Sequence, residues 1–319
     1  MLLYVFARSF PMITSSSLLL EAVRLRLDTG CHLRCFFCNS WQKRDTRLSD
    51  QAVLSVLGAA KTNGANHIAV SGGEPLISPF LDSCLAAIST VGLPSHITTS
   101  GIGLAEKSLQ LASMGVTQIH LSLESLDGKT RFSDSGESDA ATILAAIDTC
   151  KVNGLRVELN YLVLRDKNWG AEHVRRLIDF AQSKGLDITL LDVLYSWNSE
   201  LEKFHVPAAE IRMLLSNEFG LRERVVVRDG TVQTEFPCDD VIIRLRDFRA
   251  RPNNSLCQQC ATDSKHLGVT PPQLSTAGTL AFCSHRRIDV GESAAEAATA
   301  YADISRRFQQ TKTLHWIRH

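Results

Sequence analysis

Between Val23 and Cys38 the chain reads VRLRLDTGCHLRCFFC, a period-two stretch that runs straight into three cysteines spaced C-x3-C-x2-C. Val23, Leu25 and Leu27 fall on one face of an extended strand, and Arg24, Arg26 and Asp28 on the other. Five further stretches have strand character: His67–Ser71, His96–Thr99, Gln118–Glu124, Val157–Val163 and Ile188–Leu194. Helical patterns separate them, over Ser49–Lys61, Leu81–Val91, Ala105–Met114, Ala140–Asn153 and Ala171–Lys184, with Ala208–Asn217 after the last. This alternation predicts parallel strands joined by crossover helices. The fourth strand sets Ile119, Leu121 and Leu123 against Gln118, His120, Ser122 and Glu124; the fifth sets Val157, Leu159, Tyr161 and Val163 against Glu158 and Asn160. In such a repeat the apolar face packs under helices, so the polar face is expected to line a lumen that holds a polar ligand. The predicted fold is α/β, an open or partial barrel.

The remaining composition narrows the function. Lys plus Arg and Asp plus Glu both total 34 in 319 residues, so there is no basic excess of the kind that marks a nucleic-acid footprint. A small-molecule partner is expected. The N-terminal MLLYVFARSFPMITSSSLLL is apolar, but Arg8 and Pro11 interrupt it. It falls short of the roughly 18 apolar residues of a membrane span and lacks the basic start of a secretion signal. Residues 1–21 are read as a packing extension of a cytoplasmic protein. Nine cysteines, odd in number and clustered, argue against a disulfide framework and for metal chemistry. Cys84 and Cys150 fall within predicted helices and read as inert core thiols. Residues 22–220 form the expected barrel. Beyond it, RVVVRDGTVQTEF and DVIIRLRDF introduce short strands, a cysteine-bearing loop region and a terminal helix over Ser293–Thr311, together a smaller domain over 221–319.

Cys31, Cys35 and Cys38 follow the first strand directly, at the end of a barrel where βα loops build active sites. Three close thiolates on one loop can hold a cubane iron–sulfur cluster at three irons and leave the fourth open. Tetrahedral zinc is the alternative, although it needs a fourth ligand and more often uses C-x2-C pairs. Cys257 and Cys260 form such a pair and Cys283 follows, and the pair by itself suits structural zinc.

CHLRCFFC is followed in order by SGGEP at Ser71–Pro75, TTSG at Thr98–Gly101, LSLESLD at Leu121–Asp127 and ELNYLVLRDKN at Glu158–Asn168. In these motifs, over Val23 to Leu194, the chain resembles the radical S-adenosylmethionine (SAM) superfamily, and within it the branch of the GTP cyclase of molybdenum cofactor biosynthesis. The resemblance implies a partial (β/α)6 TIM-like barrel with a smaller C-terminal α+β auxiliary iron–sulfur domain. It assigns a [4Fe-4S] cluster to Cys31, Cys35 and Cys38, with the amine and carboxylate of SAM on the open iron. By position, Gly72, Gly73 and Glu74 match the motif that binds the methionyl amine, the glycines letting backbone approach the ligand and the glutamate pairing with the ammonium. Ser122 is expected near the carboxylate or ribose, Asn160 on a neighbouring lumen face, and Phe37 beside the adenine. Cys257, Cys260 and Cys283 match the ligands of an auxiliary [4Fe-4S] cluster, with Cys238 the candidate fourth ligand. The implied activity takes one electron from a low-potential donor such as flavodoxin or ferredoxin, breaks the sulfonium C–S bond, and uses the 5′-deoxyadenosyl radical to remove a hydrogen from substrate.

The chain also departs from that branch. Ala69 stands where the cyclase has an arginine, Glu158 where it has a lysine, ATDSK at 261–265 in place of an arginine run, and LHWIRH in place of terminal paired glycines. A carboxylate in place of a phosphate-binding cation reverses the electrostatic preference. GTP is therefore not the expected substrate. Arg24 keeps a matching contact position and, with Arg26, His120, Glu124 and Glu158, is a candidate substrate residue, pairing within the protein being the alternative for each of these charges. A nucleoside, nucleotide or sugar derivative is expected. A ribosomally made peptide is the second reading, and a non-catalytic metal-binding protein the third, which the intact motifs weigh against.

Overall fold

The computed structural model describes residues 21–27, 30–38, 48–126, 140–193, 198–228, 231–246, 252–253, 272–276, 278–281, 287–290, 294–309 and 315–316. Six strands lie side by side in chain order, all parallel: β1 (Ala22–Leu27), β2 (His67–Gly72), β3 (Ser95–Thr99), β4 (Val116–Ser122), β5 (Arg156–Leu162) and β6 (Asp187–Leu191). The crossovers carry α1 (Asp50–Thr62), α2 (Leu81–Val91), α3 (Leu104–Ser113), α4 (Ala140–Val152) and α5 (Ala171–Lys184), and α6 (Ala208–Asn217) follows β6. Each element coincides with its expected stretch to within a few residues. Ser49 caps α1 by accepting the Ala52 N–H at 3.2 Å.

Among the described residues, most strands after 221 join the barrel sheet. β9 (Val241–Arg246) joins the far edge parallel to β6, with β8 (Thr231–Cys238) and then β7 (Arg224–Arg228) antiparallel outside it. At the near edge β11 (Gln273–Ser275) pairs parallel with β1, followed by antiparallel β12 (Thr279–Ala281) and β13 (Arg287–Asp289). A separate antiparallel pair links β10 (Pro252–Asn253) to β14 (His315–Trp316). The register explains the far-edge addition. Ile243 aligns with Ile188 and Leu245 with Leu190, so the apolar parity of β6 continues into β9 and extends the covered face. Ser305, on α7 (Ala294–Gln309), ties that helix to α1 by donating to the Asn63 carbonyl at 3.3 Å.

One row of apolar side chains crosses the sheet under the helices. Leu25, Val70, Ile97 and Ile119 are all fully buried and aligned in register. Leu159, Ile188 and Ile243 continue the row at the next parity step. Each such side chain contributes roughly 1.5–3 kcal/mol by leaving water, and a one-residue slip would turn the whole row into the lumen. The opposite face carries Arg24, Arg26, His96, Gln118, His120, Ser122, Glu158, Asn160, Thr189 and Arg244, the polar lumen expected from the alternation. Among the described residues, no helix is long and apolar enough to cross a membrane.

Candidate active site at the rim of the sheet

The loop leaving β1 carries Cys31, Cys35 and Cys38, each partly exposed. The Cys38 N–H donates to the Cys35 carbonyl at 3.0 Å and closes a turn. The Leu33 N–H points at Cys31 Sγ at 3.3 Å. Among the described residues no three His, Cys, Asp or Glu side chains converge on a single ion. A cubane cluster makes a different demand, one thiolate for each of three irons, and three thiols on one short loop meet it. The donor set fits a [4Fe-4S] cluster.

The end of β2 packs against the root of this loop. A Cβ on Gly72 would lie 2.0 Å from the Leu27 carbonyl oxygen, and one on Gly73 1.8 Å from that of Gly30. The Gly73 N–H donates to Leu27 at 3.4 Å and the Glu74 N–H to Gly30 at 2.8 Å. The sequence reading gave these glycines to the approach of a ligand. In the structure they first admit the backbone of the cysteine loop, where any side chain would overlap a carbonyl. The Glu74 carboxylate is 1% exposed. Its Oε1 accepts from Thr99 Oγ1 at 2.7 Å and from the Leu76 N–H at 3.0 Å, and its Oε2 from the Ser100 N–H at 2.8 Å. It thus joins the ends of β2 and β3 instead of standing open in the lumen.

Ser122 and Asn160 are paired in register at the ends of β4 and β5, and the row continues through Thr189 to Arg244 and Glu235. The Leu123 N–H donates to the Asn160 carbonyl at 3.0 Å, which fixes the two strand ends. Glu158, a candidate substrate residue for which internal pairing was the alternative, is paired internally: it is buried, and its Oε2 lies 2.9 Å from Arg244 Nη1 and accepts from Gln118 Nε2 at 3.2 Å. Its Oε1 accepts from the Thr189 hydroxyl. Arg244 also meets Asp187 at 2.7 Å and Glu235 at 3.2 Å, and Glu235 holds Arg224 at 2.8 Å. Burial works against the Arg244 charge, but Glu158, Asp187 and Glu235 together outweigh it and raise its pKa above the ordinary arginine value. The partner of Glu158 thus comes from β9, a strand that single-strand parity gives no way to place.

On the other wall, Arg24 and Arg26 are half-buried on β1, in register with Ala69 and Ser71. His120, half-buried on β4, is the end of a ladder that sequence reasoning missed. His67 stacks on His96 with ring centroids 4.5 Å apart, and His96 lies 5.8 Å from His120. Burial, then His67, His120 and Arg156, lower the His96 pKa to about 3, so its ring is neutral. Strand parity across β2, β3 and β4 was the available signal. Glu124 is buried just past β4, and its carbonyl accepts from Asn168 Nδ2 at 2.9 Å. Asn168 also donates to the Leu162 carbonyl at 2.8 Å and accepts the Leu164 N–H at 2.8 Å, clamping the two loops together.

Phe37 packs edge to face with Phe36 at 5.4 Å, and Phe36 meets Phe204 at 5.1 Å, an aromatic group over Leu164, Val193 and Leu201. Cys84 and Cys150 are buried, and burial pushes the Cys150 thiol up to about 11. Cys238 lies at the turn into β9, beyond the N-terminal ends of the parallel strands and opposite the Cys31 loop. Burial and the neighbouring Asp239 raise its thiol pKa, which disfavours the thiolate a metal needs. Cys257, Cys260 and Cys283 lie outside the described residues.

Comparison with known proteins agrees with this geometry. The chain is 30% identical over 228 residues to the GTP 3',8-cyclase of Paenarthrobacter nicotinovorans, covering 67% of this chain and 63% of that protein's length. It is 24% identical over 273 residues to the GTP 3',8-cyclase of Synechocystis sp., covering 83% and 79%. In fold it is similar to Streptococcus suis SuiB bound to S-adenosylmethionine, with a TM-score of 0.62 at 15% identity over 89% of this chain and 66% of that one. It is also similar to anSMEcpe with bound AdoMet, with a TM-score of 0.56 at 14% identity over 89% and 82%. The Radical SAM superfamily matches residues 27–181, which span the cysteine loop, the glycine–glutamate motif and the lumen residues from His96 to Asn160. Residues 27–181 are thus a Radical SAM domain.

Proposed function

We propose that the chain cleaves SAM reductively at the rim of its sheet and removes a hydrogen atom from a small polar substrate held in the lumen, a nucleoside, nucleotide or sugar derivative. The observation that carries this reading is the coincidence, at one end of the sheet, of the three-cysteine loop, the Gly72–Glu74 segment and the Ser122–Asn160 pair above a polar lumen face. When bound, the cluster and SAM supply a carbon-centred radical. Cys31, Cys35 and Cys38 would hold the cluster, Ser122 and Asn160 would orient the ligand from adjacent strands, and Phe37 would offer an aromatic surface to the adenine. The partly buried Phe36–Phe204 group would help keep water from the rim. Arg24, Arg26 and His120 line the wall left for a substrate's polar groups, while Glu158 is engaged with Arg244 and neither attracts nor repels a phosphate as an open charge. A low-potential flavodoxin or ferredoxin would supply the electron. Cys257, Cys260 and Cys283 are proposed as ligands of an auxiliary cluster in the C-terminal region.

The test is the release of 5′-deoxyadenosine from SAM by anaerobically reconstituted protein with dithionite, screened against nucleosides, nucleotides, sugars and short peptides. The reading predicts a basal release that a nucleoside, nucleotide or sugar increases. Stimulation by peptides alone would assign the chain to peptide modification, and no release from cluster-loaded protein would overturn the proposal.

A further inference from the structure

The sequence motif casts Glu74 as the partner of a ligand ammonium, but its surroundings leave little room for that role. Both carboxylate oxygens are engaged, the side chain is 1% exposed, and all three donors belong to the chain: Thr99 Oγ1 at 2.7 Å, the Leu76 N–H at 3.0 Å and the Ser100 N–H at 2.8 Å. The Glu74 backbone N–H reaches the Gly30 carbonyl at 2.8 Å, one residue before the first cysteine. The preceding glycines lie against Leu27 and Gly30 so closely that a Cβ on either would overlap a carbonyl oxygen. The carboxylate therefore fixes the short turn at Pro75–Ile77 and the start of the β3 loop, and through its own backbone fixes the root of the cysteine loop.

We infer that Glu74 is a positioning residue that buckles the cysteine loop to β2 and β3 and so sets the geometry of the cluster thiolates, without its carboxylate contacting SAM. The inference rests on the reading that Cys31, Cys35 and Cys38 hold the cluster. Glu74→Gln isolates the role, because an amide keeps the shape but turns one acceptor into a donor against the Ser100 N–H. One unsatisfied buried donor is a large local defect. Thr99→Val removes the hydroxyl donor from the other side while leaving residue 74 intact.

The experiment reconstitutes wild type and both variants anaerobically and measures three quantities: the rate of iron loss to a chelator, the EPR spectrum of the reduced cluster without SAM, and the Kd of SAM for cluster-loaded protein. Both variants are expected to lose iron about tenfold faster, as one broken buried hydrogen bond implies, and to show an altered EPR line shape, while the Kd stays within about threefold of wild type. A general loss of stability would not by itself change the EPR line shape. If Glu74→Gln keeps wild-type iron retention and EPR but weakens SAM binding by about tenfold, the carboxylate meets the ligand and the inference is wrong. Wild-type behaviour in all three quantities also overturns it. Should Glu74→Gln fail to fold, Thr99→Val decides between the same outcomes. No iron in the wild type would sink the cluster reading together with this one, whereas loaded wild type with indistinguishable variants sinks this one alone.

Discussion

Glu74, just past the end of β2, and Glu158, on β5, are both buried carboxylates, and they are satisfied in different ways. Glu74, at the β2–β3 rim, accepts from a hydroxyl and two backbone N–H groups. Glu158, on the β5–β6–β9 wall, lies against the guanidinium of Arg244, which two further carboxylates share. Neutral donors are local and directional, so they can fix a loop to fractions of an ångström. An ion cluster instead joins strands distant in sequence, at a desolvation cost that is met only while every partner is present. The first wall shapes the site and the second attaches the C-terminal strands to the barrel.

The sharpest way to break this comparison is Arg244→Met. It leaves three carboxylates without their shared cation and should cost about 3–5 kcal/mol, read from denaturant midpoints. Adding Glu158→Gln should recover a measurable part of that loss. If Arg244→Met is nearly neutral, the second wall is not held by charge.

Gly73→Ala tests the first wall. A Cβ 1.8 Å from the Gly30 carbonyl forces the loop backbone aside and should cost up to about 3 kcal/mol, with cluster retention falling alongside. A fully stable variant that retains its cluster would mean that the loop root has room to spare.

The smallest effect follows from His96, whose folded pKa of about 3 lies below its ordinary 6.5. Above 6.5 the ring is neutral folded and unfolded, and its contribution is fully present. As pH falls below 6.5 the unfolded chain takes up a proton that the folded chain refuses, so stability declines by about 1.4 kcal/mol per unit, or about 2 kcal/mol by pH 5. Denaturant titrations at pH 7.5 and 5 should show this loss, and His96→Gln should flatten it. An equal loss in the variant would place the acid sensitivity elsewhere.

The parallel barrel was legible because each strand announces itself by local alternation and each crossover by a helical period. The cysteine loop was legible from its place directly after the first strand, while Gly72, Gly73, Ser122 and Asn160 came to notice only through the resemblance of their motifs; the structure puts them at or just past strand ends. What the sequence did not disclose were the contacts made between distant strands. Arg244 lies 86 positions after Glu158, and nothing local to either residue points to the other. Glu74 shows the same limit at short range. Its motif was visible, but whether its carboxylate faced the lumen or Thr99 and Ser100 depended on the packing of β3. β9 was visible as a short strand, whereas β11 fell in a stretch read only as a loop region, and the return of both to the barrel sheet was settled by register, a tertiary property.

The most direct test of the account compares wild type, Cys31→Ala/Cys35→Ala/Cys38→Ala and Cys257→Ala/Cys260→Ala/Cys283→Ala for iron content and for reductive cleavage of SAM to 5′-deoxyadenosine. The account predicts that the rim triple variant loses cleavage completely, while the C-terminal triple variant keeps about four irons, one cubane, and still cleaves SAM. Cleavage that survives loss of the rim cysteines would contradict it.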